Sequence, residues 1–258
     1  MSAMGAGDWS VLLAAALAAG WVDAVVGGGG LILLPALLLV TPAATTQQTV
    51  LATNKLASVA GTTAAVLTFS RKVPMNWRLL APAGVVAAVG AAFGAATVSL
   101  IDKDLFIPIV LVVLVGVAVL VTLRPTVGVV VGDPPTRRRI TIVVVVAAVG
   151  IGFYDGILGP GTGTFLIITF ATLLGTEFVR SAAMAKVLNL GSNIGALLYF
   201  SATDDVLWLL GLAMAVANVA GSLVGSRMAI SRGAGFVRIV LLVVVFALVI
   251  RLGWQQFG

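Results

Sequence analysis

The chain is divided into apolar runs long enough for a helix to cross a lipid bilayer, and this feature limits what it can fold into. Such runs lie near residues 10–26, 49–69, 79–99 and 105–123, and again near 140–158, 182–200, 206–226 and 236–252. Two shorter ones, 30–40 and 163–174, sit between the first and third run of each set. In hydrocarbon every backbone N–H and C=O must be bonded internally, and helices of ~20 residues do this within one segment. The overall balance agrees: 60% of residues are hydrophobic and 9% are charged, where a soluble domain carries about a quarter charged residues. The expectation is an all-α, polytopic membrane protein, which excludes a soluble binding module.

The sequence also repeats itself. At an offset of 132 residues, Gly20, Asp23, Gly27 and Gly29 fall on Gly152, Asp155, Gly159 and Gly161. After one residue of slippage, Lys55 falls on Lys186, Phe69 on Phe200, Trp77 on Trp208, and Gly90 and Gly94 on Gly221 and Gly225. An internal match of this kind marks a duplicated unit. It divides the chain into a first transmembrane repeat at 1–124, a linker at 125–139 and a second repeat at 140–258, each with five apolar segments. The second segment of each half is too short to span, since about 11 residues of helix reach only about 17 Å.

Basic residues set the expected orientation. Arg71, Lys72 and Arg78, then Arg124 with Arg137, Arg138 and Arg139, then Arg227, Arg232 and Arg238 mark three cytoplasmic loops. The acidic stretches at Asp102 to Asp104 and at Asp204 and Asp205 then fall outside. The basic 70–78 loop lies inside while its repeat partner, the 201–207 loop, lies outside, so the halves are expected to be inverted. Inverted repeats with broken helices are a mark of secondary transporters. Orientation accounts for the formal charge of +6 without a nucleic-acid partner. The first eight residues lack a basic region, so no signal peptide is expected. With no Cys and no His, there are no disulfides, no zinc or haem ligation by those residues, and no triad built on them; no cofactor is implied.

The chemistry-bearing residues cluster at the same place in each half. Gly27 to Gly30, and Gly159-Pro-Gly-Thr-Gly163, break apolar sequence. Glycine costs a helix interior about 1 kcal/mol and proline about 3 kcal/mol, so the chain is expected to turn inside the membrane. The first two segments of each half then form a broken hairpin, either re-entrant or a full span followed by a half helix. Free N–H groups at the start of each short segment, from Gly28, Gly29 and Gly30 and from Gly161, Thr162, Gly163 and Thr164, suit an anion. The alternative is that the glycines only permit close helix packing, which is the favoured reading for Gly90, Gly94, Gly221 and Gly225. Lys55 and Lys186 lie inside the third segment of each half, where a cation costs at least ~2.5–3.5 kcal/mol. They either snorkel to an interface or act as counterions to an anionic substrate, each backing the hairpin of its own half. Asp23 and Asp155 bind a coupling proton, pair with the repeat lysines, or cap freed N–H groups. Asn54, Asn189 and Asn193 add neutral donors in the same region, and Trp77 and Trp208 read as interfacial anchors.

These motifs resemble a known family. Gly20-x-x-Asp23 running into the four glycines and Pro35, followed by Thr53-Asn54-Lys55, is similar to the first-half motif of the TauE/SafE family of sulfite and organosulfonate exporters. Gly152 to Thr164, with Lys186, Asn189, Ser192 and Asn193, resembles the second-half motif. The resemblance covers nearly the whole chain and implies an anion carrier whose substrates include sulfite, sulfoacetate or related sulfur oxyanions.

Both lines lead to an anion, and with the sulfur oxyanion that the resemblance implies the expectation is a secondary transporter of a small sulfur oxyanion in the cytoplasmic membrane, exporting by alternating access, with membrane lipid as its surroundings. The substrate meets positive potential from two helix N-termini, Lys55 and Lys186. An inside-negative potential of ~100 mV favours outward movement by about 2.3 kcal/mol per anionic charge. An anion channel of the same fold and a proton-coupled importer of a carboxylate or sulfonate are the alternatives. An intramembrane enzyme fits less well, because the repeat duplicates each candidate residue and duplication suits alternating access. The sequence leaves the oligomeric state open.

Overall fold

A computed structural model of the chain describes residues 4–42, 44–101, 112, 135–203 and 206–257, with side chains beyond 233 described in part. Apart from residue 112, the run at 105–123, both acidic stretches and the linker up to 134 lie outside the described residues. The rest forms eight helices: α1 (Ala6–Val26), α2 (Gly30–Val40), α3 (Gln47–Ser70), α4 (Trp77–Thr97), α5 (Arg137–Ile157), α6 (Thr162–Leu174), α7 (Phe178–Thr203) and α8 (Trp208–Phe257). No strand occurs among the described residues. α8 is two helices joined at Gly233, whose φ of 68° and ψ of −165° interrupt the helical path.

The boundaries have local causes. Thr46 caps α3 by accepting from the Thr49 N–H at 3.1 Å, and Thr136 caps α5 by accepting from the Arg139 N–H at 3.3 Å. α5 thus takes in Arg137 to Arg139, at the end of the expected linker. α1 stops at Gly27, whose left-handed φ of 81° lets its N–H return to the Asp23 carbonyl at 2.8 Å. α1 and α5 have 21 residues each and α2 has 11. Each hairpin therefore joins an arm of full spanning length, about 31 Å, to a half-length arm.

Among the described residues, five stretches are long and apolar enough to cross a membrane: Ala6–Val26, Gln47–Ser70, Trp77–Leu100, Arg137–Ile157 and Trp208–Gly233. α7 is equally long but carries Lys186, Asn189, Ser192 and Asn193, all buried among neighbouring helices. α3 is its counterpart, with Thr53, Asn54 and Lys55 buried. The outward faces are apolar. Val85, Val89 and Phe93 on α4, spaced one turn apart, are exposed, as are Leu209, Leu212 and Val216 on α8. Exposed apolar stripes beside two polar, buried central helices are what a lipid solvent selects. Trp77 and Trp208, at the first positions of α4 and α8, are also exposed.

The packing joins the two halves of the sequence to each other. α1 runs along α8, α4 runs along α5 and α7, and α3 packs on α8 and α7. The close approaches recur at the repeat offset. Gly20 lies against the Asn218 backbone and Gly152 against the Ala87 backbone; Gly94 lies against Phe153 and Gly225 against Trp21. A methyl group on any of these glycines would collide with the facing backbone, which supports the packing role expected for the Gly-xxx-Gly pairs.

Candidate functional site

The two glycine breaks meet. Gly27 and Gly163 are in backbone contact, and a Cβ on either would overlap the other. The Thr164 N–H donates to the Gly27 carbonyl at 3.2 Å, and the Thr164 hydroxyl donates to the Val26 carbonyl at 2.9 Å. Thr164 thus fastens one hairpin to the other. At the start of α2, the Leu31 N–H bonds the Gly28 carbonyl and the Ile32 N–H bonds the Gly29 carbonyl, both at 3.0 Å. Of the N–H groups expected to face an anion, that of Thr162 donates to the Gly159 carbonyl at 3.3 Å and that of Thr164 to Gly27, so these two are already engaged.

Around this contact lie two ion pairs, one buried on both sides and one in which the aspartate is partly exposed. Lys55 Nζ is 2.9 Å from Asp155 Oδ1, and Lys186 Nζ is 2.8 Å from Asp23 Oδ2. The lysines are 1% and 0% exposed, so neither snorkels. Each lysine pairs with the aspartate of the opposite half, which corrects the expectation that it backs its own hairpin. The reason is the overlap of the two turns. With Gly27 against Gly163, the aspartate four residues before each break is brought beside the polar central helix of the other half. The pairing also corrects the expected excess of positive potential, because each ammonium already faces a carboxylate.

The remaining bonds differ between the pairs. Lys186 also donates to the Asp23 backbone carbonyl. Asp155 Oδ1 additionally accepts from the Thr162 hydroxyl at 2.7 Å, while its Oδ2 is buried with no hydrogen-bond partner among the described residues. Asn54 Oδ1 is likewise buried and unpartnered. Asn193 Nδ2 donates to Asn189 Oδ1 at 3.2 Å, and the Tyr154 hydroxyl donates to the Pro160 carbonyl at 2.5 Å, closing the turn after α5. Bare acceptors in a buried site are unusual and call for a partner.

A small, partly open cavity lies among these groups. Of the residues singled out in the sequence, Asp23, Gly30, Asn54, Lys55, Asp155, Thr162, Gly163, Asn189 and Asn193 line it. Gly28, Gly29, Gly161, Thr164 and Lys186 lie outside its lining. Gly27 and Gly159 join from the motifs, and Ser58 joins as a residue the sequence reading missed. Helical spacing could have found it, because Ser58 is one turn from both Asn54 and Lys55 on α3, as Asn189 is from Lys186 on α7. The lining is thus one short polar face from each central helix, closed by the two glycine turns.

Comparison with known proteins places the chain in a transporter family. Residues 12–252 match the family model for "Sulfite exporter TauE/SafE". The chain is 36% identical over 204 residues to "Probable membrane transporter protein ORF9" of Sinorhizobium sp, covering 78% of this chain and 77% of that protein. It is 32% identical over 249 residues to "Probable membrane transporter protein YfcA" of Escherichia coli K12, covering 96% and 90%. A "Probable membrane transporter protein" of Haemophilus influenzae is 30% identical over 213 residues, covering 80% and 82%. No solved structure matches the chain.

Proposed function

The chain belongs to the sulfite exporter TauE/SafE family of membrane transporters, and from that membership and the site geometry we propose that it is a secondary transporter moving a small sulfur oxyanion (sulfite, sulfoacetate or another organosulfonate) out across the cytoplasmic membrane. The observation that carries the reading is the pair of crossed Lys–Asp contacts at the meeting point of two broken hairpins. A site held by one element from each half comes apart when the halves move, as alternating access requires. Lys55, the Ser58 hydroxyl and the amide groups of Asn54, Asn189 and Asn193 supply donors for sulfonate oxygens. The halves are inverted about this site, with the 70–78 loop inside and the 201–207 loop outside. Glycines of the two turns keep the cavity narrow enough to select a small anion.

Two experiments test this reading. A thermal-stability screen of the purified protein against sulfite, sulfoacetate, taurine and sulfate should show stabilisation by at least one sulfur oxyanion, since a ligand at 100 times its Kd stabilises by about 2.7 kcal/mol. In proteoliposomes, labelled anion should leave at a saturable rate and faster when the opposite side holds unlabelled anion. Flux that neither saturates nor exchanges points to an anion channel and rejects the carrier.

A further inference from the structure

We infer that Lys55 and Asp155 form a proton-gated anion site, in which a substrate oxyanion takes Lys55 from Asp155 while a proton from the aqueous phase bonds to Asp155 Oδ2. The inference rests on the anion-transport reading and deepens it. The two ion pairs occupy equivalent repeat positions, yet their surroundings differ. Lys186 is fully buried, lies outside the cavity lining, and holds Asp23 through both its carboxylate and its backbone carbonyl. That lysine is committed to fixing the end of α1. Lys55 lines the cavity and meets a single carboxylate oxygen, Asp155 Oδ1. The other oxygen of that carboxylate is the bare one. Asp155 therefore holds, on Lys55, the place that a substrate oxyanion needs.

Charge balance supplies the coupling. The two pairs together are neutral, so a monoanion entering alone leaves one negative charge in excess where an unbalanced charge is heavily penalised. A proton on Asp155 Oδ2 restores neutrality. The Lys55–Asp155 ion pair breaks, the ammonium faces the anion, the neutral carboxyl gains an O–H donor, and the Thr162 hydroxyl keeps its bond to Oδ1. The ionisable groups around Asp155 allow this. They are Lys55 from α3, Asp23 from α1 with Lys186 of α7 behind it, and Tyr154 on its own helix, whose hydroxyl is held by Pro160. α6 carries no ionisable side chain, and the one charged residue of α4, Arg78, is exposed at that helix's first turn. A monoanion then crosses together with a proton as a neutral unit, and a dianion crosses as a single negative charge. The membrane potential consequently drives dianions outward and leaves monoanions to follow their own gradient and that of the proton.

Sulfoacetate is a suitable probe, because its sulfonate and carboxylate both stay ionised between about pH 6 and pH 8. Purified protein in weakly buffered detergent should take up one proton per sulfoacetate bound, read with a pH indicator dye. Affinity should weaken as pH rises, by up to about tenfold per pH unit, as one-proton linkage requires. In Asp155→Asn the side chain cannot titrate, so the sulfoacetate binding that remains should be independent of pH and release or take up no proton. Sulfoacetate binding without proton uptake by the unaltered protein, or uptake that survives in Asp155→Asn, overturns the inference and leaves anion transport standing. Failure of the unaltered protein to bind sulfoacetate, sulfite and methanesulfonate alike overturns the transport reading itself, and this inference with it.

Discussion

At the scale of single residues, four side chains hold the two turns together: Lys55 with Asp155 and Lys186 with Asp23. A buried ion pair is expensive to break from one side, because the orphaned charge costs about 3–5 kcal/mol, while removing both partners is far milder. Lys55→Ala should therefore lower the unfolding temperature in detergent more than the double variant Lys55→Ala/Asp155→Ala does, and Lys186→Ala should be rescued in the same way by Asp23→Ala. Rescue in the opposite combinations, Lys55 with Asp23 or Lys186 with Asp155, would contradict the crossed pairing. Sequence alone singled out all four residues, because a lysine and an aspartate recur at one offset. It did not reveal which meets which: a repeat identifies equivalent positions, whereas partnership depends on how far the two turns overlap in space. Ser58 escaped for another reason, since its repeat partner is Asn189 and a Ser–Asn correspondence carries no visible signal.

The elements that matter most are the two broken hairpins. Their glycines were legible as breaks, and the structure adds why one of them admits no other residue. Gly27 has a left-handed φ of 81°, and a Cβ there would strike the backbone of Gly163. Gly27→Ala should force the hairpins apart and abolish transport, with loss of the monodisperse peak in size-exclusion chromatography; a variant that elutes and transports normally would refute the contact. Thr164→Val should be gentler, removing one hydroxyl bond to Val26 worth about 1 kcal/mol, read as a small drop in thermal stability with the fold intact. Thr164 was expected to face the substrate, and its hydroxyl instead ties the hairpins together. Sequence could not separate those roles, because a threonine after a glycine turn satisfies either partner. The lengths of the arms were legible to within a few residues, since Gly and capping Thr residues mark the ends.

For the whole molecule, the interlocked packing of α1 on α8 and of α4 on α5 means that neither half buries its inward face alone. Fragments 1–124 and 140–258 should co-purify when expressed together and aggregate when expressed apart. The absence of cysteine from the sequence makes orientation testable without background. Asn76→Cys and Ala202→Cys, both in exposed positions at equivalent loops, should react with a membrane-impermeant maleimide from opposite sides, Ala202→Cys in intact cells and Asn76→Cys only in inside-out vesicles. Labelling from the same side would refute inverted halves. At the meeting of the two breaks an anion crosses through a site built on Lys55, with the Lys186–Asp23 pair fixing the end of α1 beside it. Efflux of labelled sulfite and sulfoacetate from proteoliposomes tests it most directly. The unaltered protein should give saturable efflux, and Lys55→Ala and Lys186→Ala, shown to be inserted and monodisperse, should each reduce it to the rate of empty liposomes. Unaltered rates in both variants would contradict the account.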